Sequence, residues 1–400
     1  MILHVDLNSF YASCAVIDSG GQYTFDTPLM VCGDPKKRHG IVLAATYPVK
    51  KLGVHAGMSL WQARQLCPQA VVAKPEYHQY MRYSEAFMAI ISHYSPLIMR
   101  YGIDEAYIDY SGCEHIFGPP EQVAHAIRER VKRELGLTVS VGVGENLIRA
   151  KMGSDYRKPD AVTVLDDAAW RALIWPKVVE ELQFVGRATG EKLRGMGIFT
   201  IGELAQTPER TLRHRFGVTG HELWLHANGL DTRRVTDAPA PQKEISHSIT
   251  LPQDLVAEEE ICRALLYQTE RVATRLRKAG MRAGQVGVYV RYADLSGQGK
   301  QAALPYPSDL TEELYQNARP LILALRCGKP IRLVGVHVSR LTGEAEQATI
   351  FDGPRRDAQH ALDRAVDAMR QKYGSHAVMR AGTLQFEYDE KEDFTPFKRH

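Results

Sequence analysis

The first part of the chain alternates between short apolar runs and amphipathic stretches. Residues 2–7 form an apolar run that carries Asp6 near its end, which predicts a buried strand with an acid at its C-terminal edge. Asn8 or Ser9 is placed to cap a helix that continues to about Val16. The pattern predicts further strands over 29–32, 40–43 and 138–143, and helices over 47–52, 58–67, 78–94, 120–135 and from about Asn146. This order indicates one α/β domain with a smaller inserted region.

Residues 182–202 predict two short helices joined by a glycine-rich hairpin. Backbone N–H groups of such a turn can hold a phosphate without reading base sequence. An ordinary helical hairpin with no ligand is the alternative. The stretch that follows, 233–242, contains Pro239 and Pro241 and few apolar residues, so it is the best candidate for a linker.

The pattern beyond the linker is β-α-β-β-α-β. Alternating strands are predicted over 245–251, 285–292, 300–304 and 332–341, with helices over 258–278 and 311–325. This is the order of the split βαβ sandwich. Residues 243–341 contain fourteen Lys or Arg against ten Asp or Glu, with Arg291 and Arg340 on strands. A basic sheet face of this kind can follow a nucleic-acid backbone, although solvated surface charge explains it equally well.

The last segment, 342–400, is predicted to be a tail. It begins with a polar segment that ends in Ile350 and Phe351, and an amphipathic helix is expected from Arg355 to Tyr373. The last ten residues are charged and are predicted to be disordered.

Composition places the chain among ordinary globular proteins. Its 400 residues are enough for several domains, and 44% apolar and 24% charged residues are unremarkable. The net charge is only +3, so a nucleic-acid footprint would have to be local. Six scattered cysteines without a C-x-x-C pair fit reduced thiols better than disulfides or zinc. With no signal peptide and no membrane-spanning run, we expect a soluble cytoplasmic chain.

The candidate chemistry lies in the stretch 101–109, which is predicted to be strand with the adjacent acids Asp104 and Glu105 at a hairpin tip. A solvated turn would also explain this pair. Asp6, at the end of another strand, adds a third carboxylate. Three carboxylates that converge without basic partners indicate Mg²⁺ or Mn²⁺ rather than zinc. Magnesium is usually completed by substrate phosphates, which suggests phosphoryl transfer.

Several motifs resemble the Y-family (translesion) DNA polymerases of the bacterial DinB/UmuC group, over residues 1–341. They occur in that family's order and spacing: D-x-N-S-F-Y-A at 6–12, A-T-Y at 45–47, I-D-E-A-Y-I-D at 103–109, S-V-G-V-G-x-N at 140–146, A-K-M at 150–152 and K-P-D at 158–160. The resemblance implies an α+β multidomain fold, a right-hand polymerase with a ferredoxin-like palm, small fingers, a helical thumb with a helix-hairpin-helix, and a βαββαβ little finger. The implied divisions are palm 1–10 and 78–166, fingers 11–77, thumb 167–232, linker 233–242 and little finger 243–341.

The resemblance also implies site residues. Asp6, Asp104 and Glu105 would be catalytic and would hold two Mg²⁺ ions, with Mn²⁺ as a possible substitute and the Leu7 carbonyl as a further ligand. The incoming dNTP would be contacted by six residues: Ser9, Phe10, Tyr11, Tyr47, Lys50 and Lys158. Tyr11 would also be the steric gate against a ribose 2′-hydroxyl, unless it is only a core aromatic of its helix. DNA contacts are expected at Gly186, Arg291 and Arg340.

Three positions depart from the family pattern. Gly102 stands where serine is usual, which would loosen the hairpin without removing a ligand. Lys50 replaces an arginine and offers a point charge in place of a planar fork. Phe184 replaces the first glycine of the thumb hairpin, which puts phosphate binding there in question. The segment 347–351 is similar to clamp-binding peptides through Gln347, Ile350 and Phe351, with Ala and Ile where leucines are preferred.

The sequence therefore predicts a low-fidelity, template-directed DNA polymerase that extends a primer past damaged bases. Its expected partners are primer–template DNA, dNTPs and, as a hypothesis, the sliding clamp, and the chain is expected to be a monomer without membrane contact. Two alternatives belong to other classes. A catalytically inactive DNA-binding scaffold should have lost the three acids, which are all present. A nucleotidyl cyclase would use paired acids but would leave the thumb and little finger without a purpose.

Overall fold

The computed structural model describes residues 1–34, 40–238, 241–343, 353–374 and 377–383, without the side chains of 353–355. It separates into two compact units, with the division at residues 240 and 241. Within the described residues, no helix combines the length and the apolar character that crossing a membrane would require.

The described part of the first unit contains strands and short helices in mixed order. Its strands are β1 (Ile2–Leu7), β2 (Leu29–Cys32), β3 (Val42–Ala45), β4 (Val71–Ala73), β5 (Ile98–Arg100), β6 (Glu105–Asp109), β7 (Val139–Gly144) and β8 (Val162–Leu165). Its helices are α1 (Phe10–Ile17), α2 (Tyr47–Lys50), α3 (Leu60–Leu66), α4 (Tyr77–Ile91), α5 (Glu114–Phe117), α6 (Pro120–Leu135), α7 (Leu147–Tyr156), α8 (Asp167–Ala169), α9 (Arg187–Arg194), α10 (Ile201–Gln206), α11 (Glu209–Phe216) and α12 (Val218–Ala227).

Two sheets organise this unit. The larger has the strand order β5-β6-β1-β7-β8, so the acid-bearing strands β1 and β6 are neighbours at its centre. Its core packs the apolar sides of α1, α4 and α6 against Leu3, Val5 and Val141. The smaller sheet, β3-β2-β4, is formed entirely within 29–73 and has its own apolar cluster. The region 166–227 is helical around a separate core that contains Trp170.

The second unit has the predicted βαββαβ order. It consists of β9 (Glu244–Leu255), α13 (Glu258–Lys278), β10 (Arg282–Tyr292), β11 (Gly297–Ser308), α14 (Thr311–Leu323) and β12 (Ile331–Thr342). The sheet order β11-β10-β12-β9 places β12 between β9 and β10, which is the split βαβ arrangement that the sequence predicted. Val286, Val288 and Val290 alternate toward α13 and α14, so the other sheet face carries the intervening residues.

A further helix, α15 (Gly353–Tyr373), belongs to the second unit. Its Asp363 and Asp367 reach Arg277 on α13, with N–O distances of 3.1 Å and 2.6 Å. Arg380 lies 2.9 Å from Glu270, which is also on α13. The predicted helix from Arg355 to Tyr373 is therefore docked on the unit by buried ion pairs.

Local predictions failed at three places. The strand predicted over 40–43 lies at 42–45. The stretch 101–109 is strand only from Glu105, because 101–104 form the turn between β5 and β6. Ser9 occupies the cap position of α1 in a left-handed conformation (φ 48°) and without a side-chain cap, so neither Asn8 nor Ser9 caps as predicted. Within the candidate linker, Val235 is buried against Ile2 and Tyr107.

Candidate active site

Strand register brings two of the three predicted acids together. Asp6 on β1 is the register partner of Glu105 on β6, and residues paired in this way point to the same face of a sheet. Asp104 precedes β6, and its carbonyl accepts a hydrogen bond from the Leu7 N–H at 2.9 Å. The alternation of the strand breaks at this point, so adjacent acids can serve one site.

Two lysines pair with these acids. The Lys151 ammonium lies 2.8 Å from Glu105 Oε2 and 3.2 Å from Asp6 Oδ2. Lys158 lies 2.9 Å from Asp6 Oδ1, and both lysines also contact Asp155. The expectation that the carboxylates converge without basic partners is therefore wrong. Lys151 lies on α7, so its approach to β1 depends on how closely that helix packs.

Glycine makes this close packing possible. A Cβ added to Gly142 on β7 would lie 1.9 Å from the Ala150 carbonyl oxygen, and α7 presents Gly153 at the same contact. Any side chain at either position would push the helix off the sheet. The S-V-G-V-G motif thus sets the distance at which Lys151 meets the acids.

His4 supports Glu105 from inside the protein. Its Nε2 lies 3.3 Å from Glu105 Oε2, and its Nδ1 lies 2.8 Å from the Ser154 hydroxyl. Burial of the ring lowers the pKa of His4, which keeps the imidazole neutral. The Ser154 hydroxyl donates to the Lys151 carbonyl at 2.9 Å, so the tautomer of the neutral His4 ring decides which of its two nitrogens donates.

The neighbouring carboxylates Asp104 and Glu105 have opposite pKa shifts. Burial, together with the charges of Asp6 and Glu105, raises the pKa of Asp104 to about 7. Burial also acts to raise the pKa of Glu105, but His4 and Lys151 outweigh it and lower the value to about 2. Asp104 is therefore the acid that carries the uncompensated charge, and it makes no ion pair within the described part of the chain.

The donor set fits a hard divalent cation, although the ligands are not assembled around one point. No group of three His, Cys, Asp or Glu side chains is arranged to hold a metal within the described ranges. The two oxygens of Asp6 instead contact the ammonium groups of Lys151 and Lys158. The excess charge at Asp104 and the oxygen-only donors are nevertheless what Mg²⁺ requires.

A cavity of about 530 Å³ opens beside the acids. Eight predicted site residues line it: Asp6, Leu7, Ser9, Phe10, Tyr11, Lys50, Asp104 and Lys158. Glu105 and Tyr47 are not among its lining residues, although the Lys50 ammonium lies 4.9 Å above the Tyr47 ring. Burial lowers the pKa of Lys50 and raises that of Tyr47.

Tyr11 forms one wall of this cavity. Its ring packs against Tyr80 at 4.4 Å and Phe10 at 5.5 Å between centroids. Burial raises the pKa of its hydroxyl to about 12, so it is a neutral phenol. One side of the Tyr11 ring is therefore packed in the core, as expected if the residue were only a core aromatic. The other side faces the cavity.

Gly102 lies against the acidic pair. A Cβ at this position would be 3.1 Å from Glu105 Cγ and 3.3 Å from Asp104 Oδ1. These contacts are tight enough that a side chain would press on both acids. Glycine therefore leaves the two carboxylates more room than the serine that is usual in the family would.

The predicted phosphate-binding hairpin contains a strained residue. Phe184 has φ 73°, a left-handed conformation in which glycine is normally found. Its half-exposed ring lies 4.9 Å from the Arg233 guanidinium and 5.3 Å from the His226 ring. Gly186 precedes α9, and a Cβ there would meet nothing within 4 Å.

The other predicted contact residues lie in or beyond the second unit. Arg291 on β10 is exposed on the sheet face away from the helices. Arg340 is exposed near the end of β12, where its positive φ of 55° interrupts the strand alternation. Gln347, Ile350 and Phe351 fall outside the described residues.

Sequence reasoning missed Lys151, His4 and Asp155 as members of the site. A signal for Lys151 was present, since A-K-M at 150–152 is one of the quoted motifs. Its spacing of four residues to Asp155 also puts these two side chains on one face of α7, whereas Lys158 lies beyond the end of the helix. Buried His4 had no such signal.

Comparison with known proteins gives consistent results. Residues 5–155 match the model of the impB/mucB/samB family, and residues 242–350 match that of its C-terminal domain. The chain is 38% identical to DNA polymerase IV of Acetivibrio thermocellus over 96% of this chain and 98% of the relative, and 35% identical to DNA polymerase IV 2 of Bacillus subtilis over 96% and 94%. Among solved structures, a Y-family DNA polymerase chimera superposes with a TM-score of 0.74 at 23% identity, covering 86% of this chain and 99% of that one.

Proposed function

The chain belongs to the impB/mucB/samB family and is a Y-family translesion DNA polymerase, and on this premise we propose that the cavity beside Asp6 and Asp104 is its polymerase site. Its substrates are primer–template DNA and dNTPs. The observation that carries the proposal is the register pairing of Asp6 with Glu105 at the edge of a cavity that Asp104 also lines.

The acids of the site would hold the metal. Polymerases of this family depend on divalent ions, and we infer two Mg²⁺ ions, replaceable by Mn²⁺, held by Asp6, Asp104, Glu105 and the Leu7 carbonyl. When bound, such ions lower the pKa of the primer 3′-hydroxyl and stabilise the departing pyrophosphate. The raised pKa of Asp104 supports this assignment, because a nearby cation would offset the burial and the like-charge repulsion that cause it.

The chain's own residues would bind and orient the triphosphate. Lys158 and Lys50 line the cavity and can offset phosphate charge. Ser9 and Phe10 stand at the start of α1, where the first N–H groups of a helix have no intrahelical acceptor and can bind an anion. Tyr47 would assist through the position of Lys50. Tyr11 would close the cavity toward the sugar as the steric gate.

The domain assignments follow as part of the same proposal. The larger sheet, within 1–10 and 78–166, serves as palm, 11–77 as fingers, 167–232 as thumb and 243–341 as little finger, with 233–242 between the last two. Gly186, Arg291 and Arg340 are proposed to contact the DNA backbone. Exposure of both arginines supports this role, since phosphate contacts are made by accessible cations.

Clamp binding by residues 347–351, a monomeric state and a cytoplasmic location remain predictions. Deletion of 347–351 should reduce the length of product made per binding event only when the clamp is present. Equal products from the full chain and the deleted chain, with the clamp loaded, would exclude this segment as the clamp contact.

The test of the function is primer extension by the purified full chain with Mg²⁺. The wild type should add dNTPs to an annealed primer, and Asp104→Asn should lower the rate by at least about 10²-fold, as loss of one transition-state stabilising group commonly does. The matched control is Asp109→Asn at the other end of β6, where the carboxylate accepts a hydrogen bond from the Ser111 N–H and lies outside the cavity. An inactive wild type that still binds DNA would favour the scaffold alternative, and an active Asp104→Asn would refute the site.

A further inference from the structure

Lys151 is the most enclosed cation of the site. Its side chain is 13% exposed, and its ammonium lies within 3.3 Å of oxygens from Glu105, Asp6 and Asp155. An ammonium leaves water at a high cost in free energy unless carboxylates compensate it. Lys151 and the acids therefore stabilise one another, and neither side can be removed without leaving a buried charge.

The contacts of each carboxylate oxygen show what remains accessible to a metal. Asp6 uses Oδ1 for Lys158 and Oδ2 for Lys151, and Glu105 uses Oε2 for Lys151 and His4. Within the described part of the chain, Glu105 Oε1 and the Asp104 carboxylate make no ion pair. A divalent ion could reach these oxygens directly, whereas at Asp6 it would have to share each carboxylate oxygen with a lysine.

The two lysines differ in how easily they can leave. Lys158 is 29% exposed, lies beyond the end of α7 and lines the cavity, so a triphosphate could draw it away from Asp6. Lys151 is in the middle of α7, which the contact of Gly142 with the helix backbone fixes against the sheet. Besides Asp6 and Glu105, its ammonium contacts Asp155 of the same helix at 3.3 Å.

We propose that Lys151 is an internal counter-ion that holds Asp6 and Glu105 in place in the metal-free protein and opposes the first divalent cation for the same carboxylates. This inference rests on the proposed metal site and adds a residue that sets its affinity. Lys151 is a positioning residue, because it acts through the carboxylates and does not line the cavity. A purely structural ammonium would stabilise the fold without changing metal affinity.

The experiment measures Mn²⁺ binding to the full chain, without nucleotide or DNA, by the electron paramagnetic resonance signal of free Mn²⁺. In Lys151→Met the stem is kept and the charge is lost, so Mn²⁺ should bind at least about tenfold more tightly, because a like charge a few ångströms away is removed. In Lys151→Arg the affinity should stay near that of the wild type. The matched control, Lys132→Met, removes an exposed lysine paired with Asp160 and should leave Mn²⁺ affinity unchanged.

A second readout does not depend on metal affinity alone. In EDTA, Lys151→Met should unfold at a lower temperature than the wild type, and saturating Mn²⁺ should reduce that difference, since the metal replaces the missing charge. If Lys151→Met does not fold, Lys151→Gln keeps hydrogen-bond donors at similar reach and must bind Mn²⁺ more tightly than the wild type.

The outcomes separate the two proposals. Absence of Mn²⁺ binding in both the wild type and Lys151→Met would overturn the metal site itself. A wild type that binds Mn²⁺, with neutral variants of Lys151 that bind it equally or more weakly, would overturn the counter-ion role and leave the metal site standing.

Discussion

Asp6 and Glu105 are register partners on the two central strands of the larger sheet, and a single ammonium, that of Lys151, contacts both. Backbone hydrogen bonds fix the strands, so the separation of the two carboxylates does not depend on a loop. Asp104 lies in the preceding turn, where its carbonyl accepts a hydrogen bond from the Leu7 N–H. The site thus combines two fixed carboxylates with one whose charge is uncompensated.

We expect the metal-free protein to become less stable as pH rises toward neutrality because of Asp104. Its pKa is raised from 3.8 to about 7, so the native state keeps this proton longer than the unfolded chain does, and stability is lost between those two values as pH increases. Asp104→Asn should remove the effect, leaving the variant more stable by about 2 kcal/mol at pH 8 after allowance for partial solvent screening, with a much smaller difference at pH 4.5. Urea unfolding in EDTA measures this, and parallel pH curves for the two proteins would contradict it.

Tyr11→Ala should allow ribonucleotides into the cavity. Removing the ring opens the wall that Tyr11 forms next to Phe10 and Tyr80, and a 2′-hydroxyl would no longer meet it. We expect the ratio of rNTP to dNTP incorporation, measured as kcat/KM for single additions, to rise at least about tenfold, equivalent to about 1.4 kcal/mol of lost discrimination. Tyr11→Phe keeps the ring and is the control. Unchanged discrimination in Tyr11→Ala would show that the residue is only a core aromatic.

Arg291→Ala and Arg340→Ala should each weaken DNA binding and reduce its dependence on salt. If each side chain contacts one phosphate, the slope of log affinity against log salt should fall by about 1 per substitution, for every DNA sequence tested. The control is Arg326→Ala, because Arg326 is committed to an ion pair with Glu258 at 2.7 Å. Fluorescence anisotropy over a salt series provides the measurement. Slopes equal to that of the wild type would show that both arginines are solvated surface charges without a phosphate contact.

Glycine should be favoured over alanine at position 184. Because Phe184 adopts φ 73°, an alanine there keeps a strained Cβ whereas glycine does not, so Phe184→Gly should be about 1 kcal/mol more stable than Phe184→Ala. At half-exposed Phe199, which is not in the left-handed region, the order should be the opposite, because glycine adds only chain entropy. Thermal unfolding of the four variants tests this, and the same order at both positions would rule out backbone strain at Phe184.

Sequence patterns predicted the helices and strands whose apolar residues recur at regular spacing. They missed features that depend on how one element packs against another. The βαββαβ order was correct because α13 and the strands of the second unit have clear 3.6- and 2-residue repeats. The turn at 101–104 was misread as strand because Tyr101 and Ile103 are strand formers, and local propensity does not show where hydrogen-bond pairing begins.

The sequence also did not predict that lysine side chains neutralise the acids of the site. The acids could be located from Asp6, Asp104 and Glu105, but Lys151 approaches them only because Gly142 lets α7 lie directly on β7. Such an approach depends on two glycines in different elements meeting in space. A single sequence contains both residues and gives no sign that they touch.

The ion pairs between Arg277 and the α15 residues Asp363 and Asp367 have a consequence for how the protein is made. During translation the strands and helices up to Thr342 leave the ribosome before α15. Until α15 has been made, Arg277 and Glu270 on α13 lack the side chains with which they form ion pairs. A premature stop codon shortly after Thr342 would remove α15 together with the ion pairs that dock it on α13. Nonsense mutations between Thr342 and Asp363 should therefore lower the amount of folded polymerase in the cell.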